Sequence, residues 1–115
     1  MTPMVTHIAL PVNCGSIRIK HTPVQGRIVP EHNQIVIAFP NGYGISIVYG
    51  AQVYSSNSHG SRFEREIPEN EAASTVEIAI TAPDGQFVPF KDGETVKGFV
   101  PLTELLTIIN WVSTR

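Results

Sequence analysis

The sequence predicts an α+β fold: an antiparallel β-sheet of five to seven strands with one C-terminal helix packed on it. Most apolar segments before residue 101 alternate with polar residues or are rich in β-branched residues, as strands are. Turn sequences built on Asn-Gly and Asp-Gly separate several of these segments. Only the last stretch changes to a helical period. The length of 115 residues fits a single domain, 1–115, and 42% hydrophobic residues are enough for a packed core.

The first strands are predicted at residues 5–10 and 16–21. In the second, Ile17 and Ile19 alternate with Arg18 and Lys20, as expected for a strand with one buried and one solvated face. Residues 22–33 contain two prolines and a glycine, so they are predicted to form a loop. A short extended piece is expected within it at residues 27–29.

A β-hairpin is the strongest local prediction. The apolar runs QIVIAF (34–39) and ISIVYG (45–50) flank Pro40, Asn41 and Gly42. Proline presets φ for a turn, and asparagine and glycine accept a positive φ. Two apolar runs joined in this way predict paired antiparallel strands. The glycines of FPNGYGISIVYG are therefore interpreted first as turn residues.

Residues 51–74 form a long polar interruption of the strand pattern. Its serine- and glycine-rich part, residues 55–61, is predicted to be a mobile loop. Strand periodicity returns at 74–82. A turn at 83–85, a partner strand at 86–90, a second turn at Asp92 and Gly93 and a short strand at 95–100 complete the predicted sheet.

The C-terminal stretch PLTELLTIINWVSTR predicts an amphipathic helix at residues 103–113. Thr103 is a suitable N-cap residue, and Glu104 falls in the first turn. A helix this short depends on tertiary packing. We therefore expect its apolar stripe to be buried against the sheet, at Leu105, Leu106, Ile109 and Val112.

Composition excludes several classes of function. The net charge is −2 and the eight basic residues are scattered, so no large nucleic-acid surface is expected. No apolar run reaches the roughly 18 residues of a membrane helix, and no signal peptide is indicated, so no membrane partner is expected. The four histidines lack zinc-site spacing, and no nucleotide-binding or hydrolase motif is present. We expect no metal and no cofactor.

Catalysis has little support in the sequence. Cys14 is the only cysteine and lies beside a glycine, but a nucleophilic cysteine also needs an activating group near it. His21 follows seven residues later, which does not establish such a pair. The chain is therefore expected not to be an enzyme.

Binding is the activity that the residues after the hairpin favour. Aromatic, arginine and small polar side chains are typical of protein interfaces. The alternative is that some of the tyrosines simply pack on the sheet. The candidate binding residues are Tyr43, Tyr49, Tyr54, Asn57, His59, Arg62 and Arg65.

The segments FPNGYGISIVYG, VEIAIT, DGQFVPF and VKGFVPLTELLTIINWV resemble small uncharacterised accessory proteins of phages and prophages. These proteins share an Asn-Gly-Tyr-Gly hairpin and a C-terminal Leu-Thr-Glu-Leu helix. The matching stretches are residues 36–50 and 75–112. The resemblance implies no catalytic residue, and it implies a bacterial virus as the source.

The resemblance and the residue inventory together indicate a non-enzymatic, phage-encoded accessory or anti-defence factor. It would block a host protein, such as a CRISPR or other immune component, or sequester a small nucleotide signal. A virion structural or assembly component is the alternative, and a small hydrolase is a weaker one. Localisation is expected in the host cytoplasm. A homodimer is expected, because small sheets must protect their edges and two-fold pairs are the commonest assemblies.

Overall fold

The computed structural model describes residues 5–9, 16–23, 30–65, 67 and 71–115. Within them the chain forms an antiparallel sheet with one helix packed on it, which confirms the predicted α+β fold. The elements are β1 (Val5–Ala9), β2 (Ser16–Pro23), β3 (Pro30–Ala38), β4 (Gly44–Gly50), β5 (Ser56–Asn57), β6 (Ala73–Thr81), β7 (Val96–Pro101) and α1 (Leu102–Ser113). The extended piece predicted at 27–29 lies outside the described residues.

Strands β1 to β4 follow one another in the sheet, and β6 adds to β4. The predicted hairpin is confirmed: β3 and β4 pair from His32 with Gly50 to Ala38 with Gly44. The predicted loop at 22–33 is shorter than expected, because β2 continues to Pro23 and β3 begins at Pro30. Proline lacks the N–H of a strand ladder, so it is tolerated at these strand ends.

Strand β6 organises the rest of the sheet. Ile78 pairs with Ile47 of β4 and with Lys97 of β7, so these two strands lie on opposite edges of β6. Thr75 pairs with Ser56 of β5 and with Pro101 of β7. Strands β4 and β5 therefore share one edge of β6, and β7 occupies the other.

The core lies between the sheet and α1. Its buried side chains come from alternate positions of the strands and from one stripe of the helix, as the periods of about 2.0 and 3.6 residues require. Burial of each such side chain contributes about 1.5–3 kcal/mol. They are Ile45, Ile47, Ile78, Ile80, Val100, Leu105 and Val112.

The helix differs from its prediction at two positions. Leu105 and Val112 are buried and Ile109 is half-buried, but Leu106 is 58% exposed. Leu106 follows Leu105 by about 100° around the helix, so both cannot face the core. The N-cap is Pro101, not Thr103, and it makes no side-chain cap hydrogen bond. The cause is that β7 passes into the helix without a loop, which places Thr103 inside the first turn.

Two segments of the predicted sheet also differ. Residues 86–90 do not form a strand, although Phe87 makes an isolated bridge with Thr81 and the Val88 N–H bonds to the Ile80 carbonyl at 2.8 Å. The serine-rich segment 55–61 is built into the sheet through β5. Among the described residues, no helix is long and apolar enough to cross a membrane.

Candidate functional site

Residues 50–55, which we name the crossing loop, leave the edge of β6 between β4 and β5. Val48 pairs with Glu77 and Ser56 pairs with Thr75. The seven residues between Val48 and Ser56 therefore lie opposite a single residue of β6, Val76. Ser55 closes its base. The Ser55 side chain is fully buried, and its Oγ accepts from the Gly50 N–H at 2.8 Å and donates to the Gly50 carbonyl at 3.2 Å. These two hydrogen bonds therefore hold the two ends of the crossing loop together.

The crossing loop lies over the sheet face opposite α1 and reaches β7. Glu77 is on that face, because Ile78 beside it points into the core. The Tyr54 backbone N–H is close enough to the Glu77 carboxyl to favour its charged form and to lower its pKa. On the far side, the Phe99 N–H bonds to the Tyr54 carbonyl at 2.8 Å. The Tyr54 backbone is thus anchored to β7 through its carbonyl and lies beside Glu77 of β6.

A β-bulge in β7 receives Tyr54. Val76 pairs with Val100 and Ile78 with Lys97, so two residues of β7 face Glu77. One of them, Phe99, has a positive φ of 52°, which turns its N–H out of the ladder. The other, Gly98, leaves space for the loop, because a Cβ there would overlap the Tyr54 Cβ. A glycine is required at this close approach.

Four side chains meet where the loop crosses, and we name them the Tyr54 cluster: Tyr54, Arg62, Glu77 and Phe99. The rings of Tyr54 and Phe99 are 6.0 Å apart at 60°, an edge-to-face contact. The Arg62 guanidinium carbon lies 4.9 Å from the centre of the Tyr54 ring, within cation–π distance. Tyr54 is nonetheless 52% exposed and Phe99 45% exposed. The rings of Tyr54 and Phe99 are thus about half exposed, although a backbone hydrogen bond joins the two residues.

Glu77 is the acidic member of the cluster. Partial burial raises the pKa of its carboxyl above the usual 4.5, because the charged form loses hydration. The Tyr54 N–H and the positive charge of Arg62 act in the opposite direction and are smaller effects. The carboxylate therefore places negative charge beside Arg62 and the Tyr54 N–H.

Asn57, His59 and Arg65 lie near the cluster in sequence. Asn57 builds a tight turn: its Oδ1 accepts from the N–H groups of His59 and Ser61, both at 3.0 Å. This is the local bonding that favours asparagine in turns. His59 is exposed on the turn, and Arg65 is also exposed. The turn leads directly to Arg62, which bridges back to Ser56.

Tyr43 and Tyr49 lie on the other face of the sheet. Tyr43 is half-buried and packs against the core beneath α1. Tyr49 shares its face of β4 with Ile45 and Ile47, because side chains alternate along a strand. The seven candidate binding residues therefore do not form one surface. The structure brings Tyr54 and Arg62 together and separates Tyr43 and Tyr49 from them.

Sequence reasoning missed Phe99 and Glu77 as members of the site. Each left a signal. Gly98 interrupts the short strand VKGFV, and an isolated glycine in a strand indicates a bulge or a close backbone approach. Glu77 is the one charged residue in STVEIAITA, at a position that faces away from the core. Their partner in the crossing loop is not encoded in any local pattern.

No group of three or more histidine, cysteine, aspartate or glutamate side chains is placed to hold a metal ion within the part of the chain that the structure describes. The candidate nucleophile Cys14 lies outside the described residues. The chain matches no known family model, no curated protein and no solved structure. Function is therefore inferred from the site itself.

Proposed function

We propose that this chain is a non-enzymatic binding protein and that the Tyr54 cluster is the centre of its interface with another protein. The observation that carries the proposal is the half-exposure of Tyr54 and Phe99 on an anchored backbone. Tyrosine and arginine are enriched among the residues that dominate binding energy. A side chain held in place before binding also loses less conformational entropy when the partner arrives.

The chemistry of the cluster favours a protein partner over a nucleotide. Tyr54 and Phe99 could stack on a base, but a nucleotide also needs a cation free for its phosphate. Arg62 is over the Tyr54 ring and beside the Glu77 carboxylate. That carboxylate would repel a phosphate placed against Arg62. A protein surface that offers an aliphatic or aromatic side chain and a hydrogen-bond acceptor suits the cluster better.

A phage-encoded accessory or anti-defence factor is the biological role we propose, acting in the host cytoplasm on a host protein. It is supported by the resemblance of the hairpin and the C-terminal helix to phage and prophage accessory proteins. Such a factor works by occupying a surface of its target. An anchored loop with open aromatic rings is suited to that task.

Quantitative affinity capture tests the proposal. Tagged wild-type protein, Tyr54→Ala and Arg62→Ala are used to capture proteins from a bacterial host lysate, which are measured by mass spectrometry. Phe87→Ala is the matched control, because Phe87 is 57% exposed and lies outside the cluster. Each variant is also checked for an unchanged melting temperature.

We expect at least one host protein to be retained by the wild type and by Phe87→Ala and to be lost from the two cluster variants. For the purified partner, each cluster substitution should weaken binding by about 1–3 kcal/mol, the range for an interface anchor. Retention of that partner by all variants would place the interface elsewhere. Capture of a nucleotide in place of a protein would favour the sequestration hypothesis. Turnover abolished by Cys14→Ser would favour the hydrolase.

A further inference from the structure

A groove of about 710 Å³ lies between α1 and residues 88–92, which follow β6. Ile80 of β6 is at its base, since this side chain is only 3% exposed. Clefts of roughly 300–1,000 Å³ with mostly apolar and aromatic walls are the usual sites of small molecules. The groove is on the helix side of the sheet, and the Tyr54 cluster is on the other. The apolar lining residues are Ile80, Val88, Pro89, Phe90, Ile108 and Trp111.

Backbone hydrogen bonds hold the wall of the groove that faces the helix. The Val88 N–H bonds to the Ile80 carbonyl at 2.8 Å, which fixes this wall to β6. The Phe90 N–H bonds to the Glu94 carbonyl at 2.8 Å, and the Gly93 N–H bonds back to the Phe90 carbonyl at 2.9 Å. The wall is therefore formed before a ligand arrives, so binding loses little conformational entropy there.

A charged pair lies among these apolar side chains. Lys97 of β7 and Glu104 of α1 both line the groove and form an ion pair. The Lys97 Nζ is also 5.9 Å from the centre of the Phe90 ring. The two charged side chains are 42% and 39% exposed. The pair engages Glu104 Oε1, so the second carboxylate oxygen and the remaining ammonium hydrogens can bind a ligand.

The charges that line the groove are balanced. Lys91 and Lys97 are positive, and Asp92 and Glu104 are negative. Asp92 is partly engaged, because its Oδ1 accepts from the Glu94 N–H at 2.9 Å. A ligand with a single charge meets both an attraction and a repulsion at the Lys97–Glu104 pair. A ligand with one positive and one negative group gains two attractions there.

Trp111 forms part of the helix wall and is held by Arg115. The Arg115 guanidinium carbon is 4.2 Å from the centre of the Trp111 ring, and its Nε donates to the Trp111 carbonyl at 3.0 Å. Trp111 is nonetheless 41% exposed. A positioned aromatic ring next to the groove favours a ligand that has a ring of its own.

We propose that the groove binds a free aromatic amino acid. The ligand carboxylate pairs with the Lys97 ammonium, and the ligand ammonium pairs with the Glu104 carboxylate. Both charged groups of an α-amino acid are attached to one carbon, so they match a lysine–glutamate pair that is already in contact. The ligand ring packs against Trp111 and Ile108. An aromatic residue inside a protein chain does not fit this scheme, because its α-groups are in peptide bonds.

Titration with L-phenylalanine tests the proposal. Trp111 is the only tryptophan of the chain, so its fluorescence reports on the groove, and amide chemical shifts locate the binding. We expect saturable binding with a dissociation constant of about 1 mM or below, a range open to a ligand of this size. Phenethylamine and 3-phenylpropionate each lack one of the two charged groups. Each should bind the wild type at least about tenfold more weakly.

Two variants test the roles of the charged pair. Lys97→Gln and Glu104→Gln should each weaken L-phenylalanine binding by about tenfold or more. Glu104→Gln removes the repulsion of an acid, so it should bind 3-phenylpropionate more tightly than the wild type does. Lys97→Gln should do the same for phenethylamine. Lys20→Gln, an exposed lysine of β2, is the matched control and should bind L-phenylalanine unchanged.

Tyr54→Ala separates this proposal from the protein interface, because it should bind L-phenylalanine as the wild type does. The comparison of the three ligands uses the wild type alone, so it applies even if a variant does not fold. No saturable binding of L-phenylalanine well above 1 mM would overturn the proposal. Equal binding of all three ligands would also overturn it, because the ion pair would then have no part in recognition. The same holds for shifts located outside the groove or for equal weakening by Lys20→Gln.

Discussion

The side-chain amide of Asn41 donates a hydrogen bond to the backbone carbonyl of Val112 at 2.8 Å, across 71 residues of sequence. It also reaches the Arg115 carbonyl at 3.1 Å, while its Oδ1 accepts from the Tyr43 N–H at 3.0 Å. One turn residue thus shapes the β3–β4 hairpin and satisfies carbonyls at the end of α1, where intrahelical partners are lacking. The hairpin fixes the position of the helix.

Asn41→Ala should lower the free energy of unfolding by about 1–3 kcal/mol, because it removes the donor and the acceptor together. Asn41→Asp keeps the acceptor but places a negative charge at the helix C-terminus, so it should also destabilise. Urea unfolding measures both. Asn110→Ala, at an exposed helix position, is the control and should change little. A stability of Asn41→Ala equal to that of the wild type would contradict this role.

Gly98→Ala should destabilise the protein by about 1–3 kcal/mol, the usual cost of overpacking. The added methyl would overlap the Tyr54 Cβ. In a Tyr54→Gly background the contact atom is absent, so the same substitution should cost much less. A double-mutant cycle by urea unfolding gives the coupling. Equal costs in the two backgrounds would show that Gly98 serves another purpose.

Ser55→Ala should destabilise by about 1–3 kcal/mol, since it leaves the Gly50 N–H without its buried partner. It should also weaken partner binding, because the base of the crossing loop opens. Ser58→Ala, in the same region but exposed, is the matched control. Thermal melting and partner affinity are the two measurements. Reduced stability with unchanged affinity would separate the loop base from the binding surface.

Glu77→Gln should change stability in a pH-dependent way. The folded-state pKa of Glu77 lies above its usual 4.5, so the folded state favours the protonated acid. The resulting stabilisation is fully present below pH 4.5 and is lost as the pH rises through the folded-state pKa. The glutamine introduced by this substitution does not ionise, so the variant should gain stability relative to the wild type as the pH rises from 4.5 through the folded-state pKa.

The measurement is the difference in unfolding free energy between variant and wild type across that pH range. Glu94→Gln, at an exposed turn, is the control for the effect of removing a carboxylate from the surface. If this difference falls with rising pH, the Glu77 pKa is lowered by Arg62 and the Tyr54 N–H more than it is raised by burial.

The sequence predicted those parts of the fold that local patterns encode. The Asn-Gly turn at Asn41 and Gly42 located the hairpin, and helical spacing located α1. Alternation placed Ile17 and Ile19 on one face. In each case the signal lies within about a dozen residues and corresponds to one element.

What the sequence did not reveal depends on contacts between distant segments. Nothing near Tyr54 indicates that its backbone bonds to Phe99, far along the chain. The exposure of Leu106 follows from the rotation of α1 about its axis, which tertiary packing sets. The separation of Tyr43 from Tyr54 has the same origin, since closeness in sequence does not determine which sheet face a side chain occupies.

The direct passage of β7 into α1 joins the two faces of the sheet by a short segment of chain without a loop. Phe99, in contact with Tyr54 on one face, is three residues from Leu102, which begins the helix on the other. Because no loop separates β7 from α1, we expect a displacement of Phe99 to reach the first turn of the helix. Occupation of one surface would then be detectable as amide chemical-shift changes in Leu102 and Leu105, on the far side of the sheet.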